Sequence, residues 1–411
     1  MDVSIITIGD ELMIGQVVDT NSAFIAMLLN DNGFNVIHKA AVRDVGQDII
    51  SAIDAAKSKA PIVLVTGGLG PTKDDITLRT LCQYYGCELH FSEEVYQNVE
   101  RIIMSGSRVM NELNRNQALV PDNCVVIQNR AGTAPCTWFE RDDHLLVSMP
   151  GVPSEMKWLM TSEIMPRLKQ RYKQDLHIRH KTFWVNGYGE SALAIILTDF
   201  ENNLPSFVKL AYLPQLGLIR LRLSAYASNE KEALDSIAIF SKELVNLLDT
   251  HILAEEDKNL EVLIGEKLRS LGQTVGTAES CTGGAIAALL TSVAGSSDYY
   301  MGSIVAYDNS VKHHILGVSN SDLLQYGAVS QQVVEQMAQG ALSVLGCDWA
   351  IATSGIAGPG GGTPEKPVGN IWVAIANRDT VISRLFTFST TREQNVQRTV
   401  NMSLALLLAE L

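Results

Sequence analysis

The chain lacks the apolar run that a membrane span needs, since no window reaches the roughly 18 uninterrupted apolar residues required. Its start has no basic stretch followed by an apolar one, so no secretory signal is expected. The six cysteines (Cys82, Cys87, Cys124, Cys136, Cys281 and Cys347) form neither a CxxC pair nor a zinc-ligand spacing. They read as reduced, buried thiols, which predicts a cytoplasmic protein. The eight histidines include His177/His180 and His313/His314, but neither pair has the companions of a ligand cluster. Basic side chains are also scarce: 32 Lys+Arg stand against 45 Asp+Glu, a formal charge of −13. That balance argues against a surface built to neutralise a nucleic-acid backbone. Small anionic ligands stay open, because helix N-termini and single basic side chains hold them without a basic surface.

What the sequence has is length and alternation. At 411 residues, with 46% apolar and 19% charged, it reads as a compact globular chain of two or three domains. Strands are predicted over 3–8, 34–42 and 62–66, with helices over 21–29 and 49–56, a βαβ rhythm that implies a largely parallel sheet. Such sheets hold ligands at the C-terminal ends of their strands. Met149-Pro150-Gly151-Val152-Pro153 closes this block, followed by a helix through Glu163 and a charged linker over 169–173. A smaller α+β unit follows, with strands over 181–185, 208–213 and 217–225 and helices over 191–197 and 231–248. The acidic run Glu255-Glu256-Asp257 marks the next boundary. Beyond it Leu260, Leu263, Ile264, Leu268 and Leu271 share one face of a helix stopped by Gly272. Strands over 273–278, 302–306, 348–353, 370–376 and 381–388 then alternate with helices over 284–293 and 331–345, before a final helix. The expected fold is therefore two α/β domains with mainly parallel sheets (1–170 and 256–411) joined by a small α+β domain (171–255).

Three elements of the last domain carry chemistry. Ala278-Glu279-Ser280-Cys281-Thr282-Gly283-Gly284 falls where a strand gives way to a helix, beside the positive end of a helix dipole. Ser280 is there either a nucleophile or, like Thr282, a helix N-cap. Cys281 has no base nearby in sequence. In Ala306-Tyr307-Asp308-Asn309-Ser310-Val311-Lys312, a lysine desolvated at a cleft could serve as base to a serine, or be an ordinary surface charge. The stretch from Thr353-Ser354-Gly355 through Gly358 to Gly369 is rich in glycine, and its N–H groups can form an anion nest, an oxyanion hole or a lid. Arg392 and Arg398 on the last helix are candidates for a phosphate clamp or simply solvated charges.

Taken together, AESCTGG, YxNxxK, Gly327-Ala328-Val329-Ser330 and SGIAGPGGGTPEKPVG closely resemble the C-terminal domain of the CinA family, over roughly Leu260 to the end. The same domain occurs alone as bacterial nicotinamide-nucleotide amidohydrolase. The resemblance implies hydrolysis of nicotinamide mononucleotide (NMN) to nicotinate mononucleotide and ammonia, without a cofactor. It implies Ser280 as nucleophile, Lys312 as its base and Tyr307 and Ser354 as companions. Thr282, Gly283, Gly284, Asn309, Gly355, Gly358, Arg392 and Arg398 are the expected substrate contacts. Asp308 stands where a serine is more usual.

Near the start, Gly9-Asp10-Glu11 follows the first strand and Gly67-Gly68-Leu69-Gly70-Pro71-Thr72-Lys73-Asp74-Asp75 follows the third. The glycines suit backbone contact with phosphate, with Lys73 offsetting charge. Asp74 or Asp75 with Asp10 or Glu11 would give hard oxygen ligands for Mg²⁺, Mn²⁺ or Co²⁺, or merely favour helix N-termini along with Asp19. With Asn116-Gln117-Ala118 and Met149–Pro153, these motifs resemble the molybdopterin-binding-like domain that opens CinA proteins, over about 1–170. That resemblance implies metal-dependent hydrolysis of ADP-ribose to AMP and ribose 5-phosphate. Cys136 falls where glycine is usual, which is expected to tighten that loop. The middle block resembles the family's KH-like segment but has no GxxG clamp, so a spacer or homodimer contact is expected rather than RNA binding. The other readings are a non-catalytic partner protein in competence or DNA repair, or a molybdopterin-binding protein with a vestigial amidase.

Overall fold

The computed structural model describes residues 1–72, 75–105, 109–172 and 177–411. They form two compact units: Met1–Arg179 with Ala225–Asp235, and His180–Ser224 with Ser236–Leu411.

The first unit contains β1 (Asp2–Ile8), β2 (Asn35–Val42), β3 (Ile62–Thr66), β4 (Leu89–Phe91), β5 (Leu119–Pro121), β6 (Val125–Ile127), β7 (Cys136–Arg141) and β8 (His144–Met149). Its main sheet has the order β2-β1-β3-β8-β7-β6, while β4 and β5 pair separately. Strands β2, β1, β3 and β8 run parallel; β7 is antiparallel to both of its neighbours, β8 and β6. Alternate residues feed two cores: Val3, Ile5, Ile62 and Leu64 on one face, Ile6, Ile8, Val63 and Val65 on the other. That is why these strands read as unbroken apolar runs. Only Asp142 and Asp143 join β7 to β8, both with positive φ (53° and 60°). A loop that short returns the chain antiparallel. The predicted helix through Glu163 in fact continues to Arg171 by way of a π-helical turn, Met160–Ile164. Pro166 sits in the first turn of the segment that follows the π-helical turn.

The middle sheet comprises β9 (His177–Val185), β10 (Val208–Gln215), β11 (Leu218–Ala227) and β12 (Ile252–Ala254), in the order β10-β11-β9-β12. The short β12, which pairs antiparallel with β9, is an addition to the predicted strands; three residues are too few to show a period.

The second unit ends in a five-stranded sheet of β13 (Val275–Glu279), β14 (Tyr300–Val305), β15 (Trp349–Gly355), β16 (Asn370–Ala376) and β17 (Val381–Thr387), ordered β14-β13-β15-β16-β17. Strands β14, β13 and β15 are parallel, whereas β16 is antiparallel to both of its neighbours, β15 and β17. Both α/β sheets thus have the expected parallel strands at their centre and are mixed, with antiparallel pairings toward one edge. The tight β16–β17 turn is closed by Asn377 Oδ1, which accepts from the N–H groups of Asp379 and Thr380 at 2.9 and 2.8 Å. One sheet face carries Ile351, Ile371, Val373 and Ile375 beneath the helices Leu260–Leu271 and Arg392–Glu410. The other carries Ala350, Ala352, Ala374 and Ala376, whose small side chains meet Val334, Met337 and Ala338 of the helix Gln331–Leu345. Among the described residues no helix is long and apolar enough to cross a membrane.

Candidate functional site

The nucleophile candidate is placed by sheet register. Glu279, the last residue of β13, lies opposite Val305 on one side and Thr353 on the other. The next residues, Ser280, Ala306 and Ser354, therefore form one row across the C-terminal edge of the sheet. Ser280 N–H donates to Thr353 C=O at 3.0 Å, and Ala306 N–H to Glu279 C=O at 2.8 Å.

Lys312 reaches this row from behind. Its side chain is only 1% exposed, and Nζ donates to the carbonyls of Ala306 at 2.7 Å and Tyr307 at 3.0 Å. Burial pushes its pKa below the ordinary lysine value, against the pull of Asp308 and Cys281. A neutral amine has two N–H bonds and one lone pair. With both N–H groups held by carbonyls, the lone pair is what remains to accept a proton. Among the described residues no hydrogen bond joins Ser280 Oγ to Lys312 Nζ, whose partners are the two carbonyls. The surface-charge alternative for Lys312 does not survive its burial.

The cap alternative for Ser280 and Thr282 fails as well. The helix Ala285–Thr291 has Gly284 at its N-cap and no side-chain cap there, while Thr282 Oγ1 lies 2.8 Å from Thr353 Oγ1. The cap is supplied from five residues back. The fully buried Glu279 carboxylate accepts from the N–H groups of Gly284 (3.0 Å), Ile286 (3.1 Å) and Ala287 (2.8 Å). It also accepts from Thr277 Oγ1 at 3.2 Å. The expected positive helix end beside Ser280 is therefore already occupied by an internal anion. Gly283 and Gly284, at φ 63° and 97°, let the chain fold back far enough for this, in a region that costs other residues strain. Glu279 stood in the motif, but its reach back onto the helix is a three-dimensional fact that no spacing rule announces.

Cys281 is buried, which pushes its thiol up to about 12 and keeps it protonated. Asp308 caps the helix Asn309–His314 by accepting from Ser310 N–H at 2.8 Å, a role serine fills equally well. Its departure from the family pattern is thereby accounted for. Asn309 opens that helix, exposed to solvent. Ser354 is 1% exposed and donates from Oγ to Ala328 C=O at 2.6 Å, which ties the glycine-rich segment to Gly327–Ser330. Lys366 Nζ reinforces that tie by donating to Val329 C=O at 2.7 Å. Gly355 packs against Ile371. Arg392 donates to Gly358 C=O at 2.9 Å and reaches the Tyr307 hydroxyl at 3.4 Å, which joins the last helix to both loops. Arg398 is not brought into this group: its guanidinium lies over the Phe388 ring, 5.8 Å from the centroid. The C-terminal site thus gathers Ser280, Lys312, Tyr307, Gly358 and Arg392, and leaves Arg398 aside.

In the first unit, β2, β1 and β3 are neighbours, so the loops leaving them meet. Gly67 has φ 115° and donates to Met149 C=O at 3.1 Å; a Cβ there would overlap Ile8 C=O. Asp10 and Glu11 begin a short helix. Asp10 N–H donates to a carboxylate not singled out in the sequence, Asp44 Oδ2, at 3.0 Å. Burial raises the Asp44 pKa, and the nearby charges of Asp10, Glu11 and Asp75 raise it further. Asp75 accepts from Thr72 N–H at 2.9 Å, beneath Gly70. Asp19 is the N-cap of the helix Thr20–Asp31, accepting from Ser22 N–H at 2.9 Å. Lys73 and Asp74 lie outside the described residues. Among those described, no three acidic, histidine or cysteine side chains converge to hold a metal. Cys136 opens β7 and is fully buried in its core, rather than tightening the loop before it. Beside Gly68 and Gly70 a cavity of about 570 Å³ opens, walled by Leu78, Leu113 and Gln117.

Comparison with known proteins agrees along the whole chain. The family model for the CinA C-terminal domain matches residues 257–411, that for a probable molybdopterin binding domain matches 4–170, and that for the damage-inducible protein CinA KH domain matches 180–254. A CinA-like protein of Flavobacterium psychrophilum is 41% identical over 413 residues, covering 100% of this chain and 99% of its own. One of Cytophaga hutchinsonii is 42% identical, over 96% of this chain and 94% of its own. Among solved structures, the competence/damage inducible protein CihA from Agrobacterium tumefaciens is 42% identical over 36% of this chain and 92% of its own, with a TM-score of 0.36. With relatives matched nearly end to end, the chain belongs to the CinA family of CinA-like proteins, with molybdopterin-binding-like, KH and CinA C-terminal domains in that order.

Proposed function

We propose that residues 257–411 form a serine amidase that converts NMN to nicotinate mononucleotide and ammonia. The observation that carries this reading is Lys312, a buried amine with both N–H bonds of its neutral form held by carbonyls on the row where Ser280 sits. In the proposed reaction the Lys312 amine takes the Ser280 hydroxyl proton as Oγ attacks the carboxamide carbon. The resulting ammonium returns that proton to the departing nitrogen, so the C–N bond breaks and ammonia leaves behind an ester on Ser280. Water, deprotonated by the same amine, then hydrolyses the ester. Arg392, held at Gly358 beside Tyr307, is the cation suited to the nucleotide phosphate. The amide chemistry is argued from these residues; the choice of NMN comes from the resemblance to the family. Ammonia release from NMN by the wild type and by Ser280→Ala tests both at once. No release by wild type sinks the amidase, and full activity in Ser280→Ala sinks the nucleophile.

A second reading, for the first unit, is metal-dependent hydrolysis of ADP-ribose. It is favoured by Asp44, whose pKa is raised by burial first and then by the charges of Asp10, Glu11 and Asp75; a divalent cation would relieve the part that comes from those charges. Asp10, Glu11 and Asp44 are the residues that would hold the ion, which would supply Lewis-acid activation of the pyrophosphate. Their carboxylates are not gathered into a chelating set among the described residues, so no step is assigned to the ion. AMP formation from ADP-ribose that needs added cation and is lost in Asp10→Ala is the expected result. Cation-independent turnover would refute it.

A further inference from the structure

The cavity beside the glycine turn is divided in character. Gly68, Gly70 and Asp75 line one end, the end nearest the carboxylates around Asp44. Five leucines (Leu69, Leu78, Leu89, Leu113 and Leu119) supply most of the apolar wall, which Arg79 and Asn116 interrupt with polar groups. Within that wall lies Gln117, only 9% exposed, whose Oε1 is buried without a hydrogen-bond partner. A buried amide oxygen left unpaired is costly, and a bound molecule can supply what the fold does not. About 570 Å³ suits a nucleotide-sized ligand. Leucine walls accept a flat aromatic ring, and a carboxamide presents a donor and an acceptor side by side. That pair matches the edge of adenine, where the exocyclic amino group donates beside an accepting ring nitrogen.

We propose that this cavity seats the adenine base of a nucleotide and that Gln117 is its specificity-determining residue, pairing with the amino group and ring nitrogen. The inference rests on reading the first unit as a nucleotide site, and it adds which part of the nucleotide goes where. Phosphate lies toward Gly68 and Gly70, and the base lies between the leucines.

The test uses the full chain and titration calorimetry with AMP, IMP and ribose 5-phosphate, so it needs no turnover. Wild type is expected to bind AMP more tightly than IMP by roughly tenfold to a hundredfold, the discrimination of one bidentate amide–base pair. Ribose 5-phosphate, with no base, should bind more weakly still. Gln117→Leu should lower AMP affinity to the IMP level and leave ribose 5-phosphate unchanged, which also shows that the rest of the site is folded. Gln117→Asn, with the same amide on a shorter arm, should keep part of the preference. An AMP-over-IMP preference that survives in Gln117→Leu overturns the inference, as does equal binding of AMP and IMP by wild type. Tighter binding of a free pterin than of AMP overturns the choice of adenine. If wild type binds neither AMP nor ribose 5-phosphate, the nucleotide reading itself fails and the base assignment falls with it.

Discussion

Replacing Lys312 by methionine, which keeps the stem and removes the amine, is the sharpest test of the C-terminal site. Two quantities can be worked from the structure. The first is the rate: a positioned general base contributes roughly 10²–10⁴-fold, about 3–5 kcal/mol of barrier. The second is stability. Methionine leaves the carbonyls of Ala306 and Tyr307 without their donor. Ala306 is fully buried, whereas Tyr307 is 64% exposed and its carbonyl can turn to water. Only one carbonyl therefore stays unpaired in a dry place, at a cost of about 1–3 kcal/mol. Removing a desolvated amine offsets part of that loss, so the variant should fold with a modestly lowered melting temperature. Ammonia release from NMN, followed beside a thermal melt, separates the two effects. The pH dependence has a defined sign. Since the active form is the neutral amine, wild-type kcat/KM should rise with pH and level off above a pKa lower than that of ordinary lysine. Lys312→Met should lose this rise. A folded Lys312→Met within tenfold of wild-type activity would refute the assignment of the base.

Glu279→Gln would set an NH₂ group against backbone donors that now share a carboxylate. It should cost roughly 2–3 kcal/mol by denaturant titration, and an unchanged midpoint would rule out the internal cap. Arg392→Ala should raise KM for NMN while leaving kcat for nicotinamide riboside, which lacks the phosphate, near wild type; equal losses on both substrates would exclude a phosphate contact. Asp44 has a folded pKa above its unfolded one, so its ionisation opposes folding. Its favourable share is present at low pH and is lost as pH rises through the folded value. Asp44→Asn should therefore raise the neutral-pH melting temperature in cation-free buffer by the equivalent of under about 1 kcal/mol, with the gain vanishing near pH 3. A lower melting temperature at neutral pH would contradict the crowding of charge around Asp44.

The strands around both candidate sites could be read from apolar runs ending in glycine, because buried parallel strands leave that mark. So could Ser280, Lys312 and the glycine turns, whose residue types are informative in themselves. What stayed hidden depends on sheet order. Asp44 follows β2 and meets Asp10 only because β2 lies beside β1. Arg392 and Arg398 sit on the same helix, and only tertiary contact shows that one reaches Tyr307 while the other rests on Phe388. Gln117 belonged to a quoted motif, but its unpaired oxygen is a property of packing. The antiparallel β7–β8 and β16–β17 pairings follow from short turns at 142–143 and 377–380, which a βαβ rhythm does not anticipate.

The way Glu279 is bound has a consequence for heredity as well as chemistry. Its partners span only residues 277–287, and the remaining ties of the nucleophile turn run to Glu279, Ala306 and Thr353 on adjacent strands. Among the described residues none of these ties reaches outside the stretch matched as the CinA C-terminal domain. A turn whose fastenings are all local travels intact when its gene segment is cut loose or fused elsewhere, so the candidate site around Ser280 is portable even where its neighbours are not.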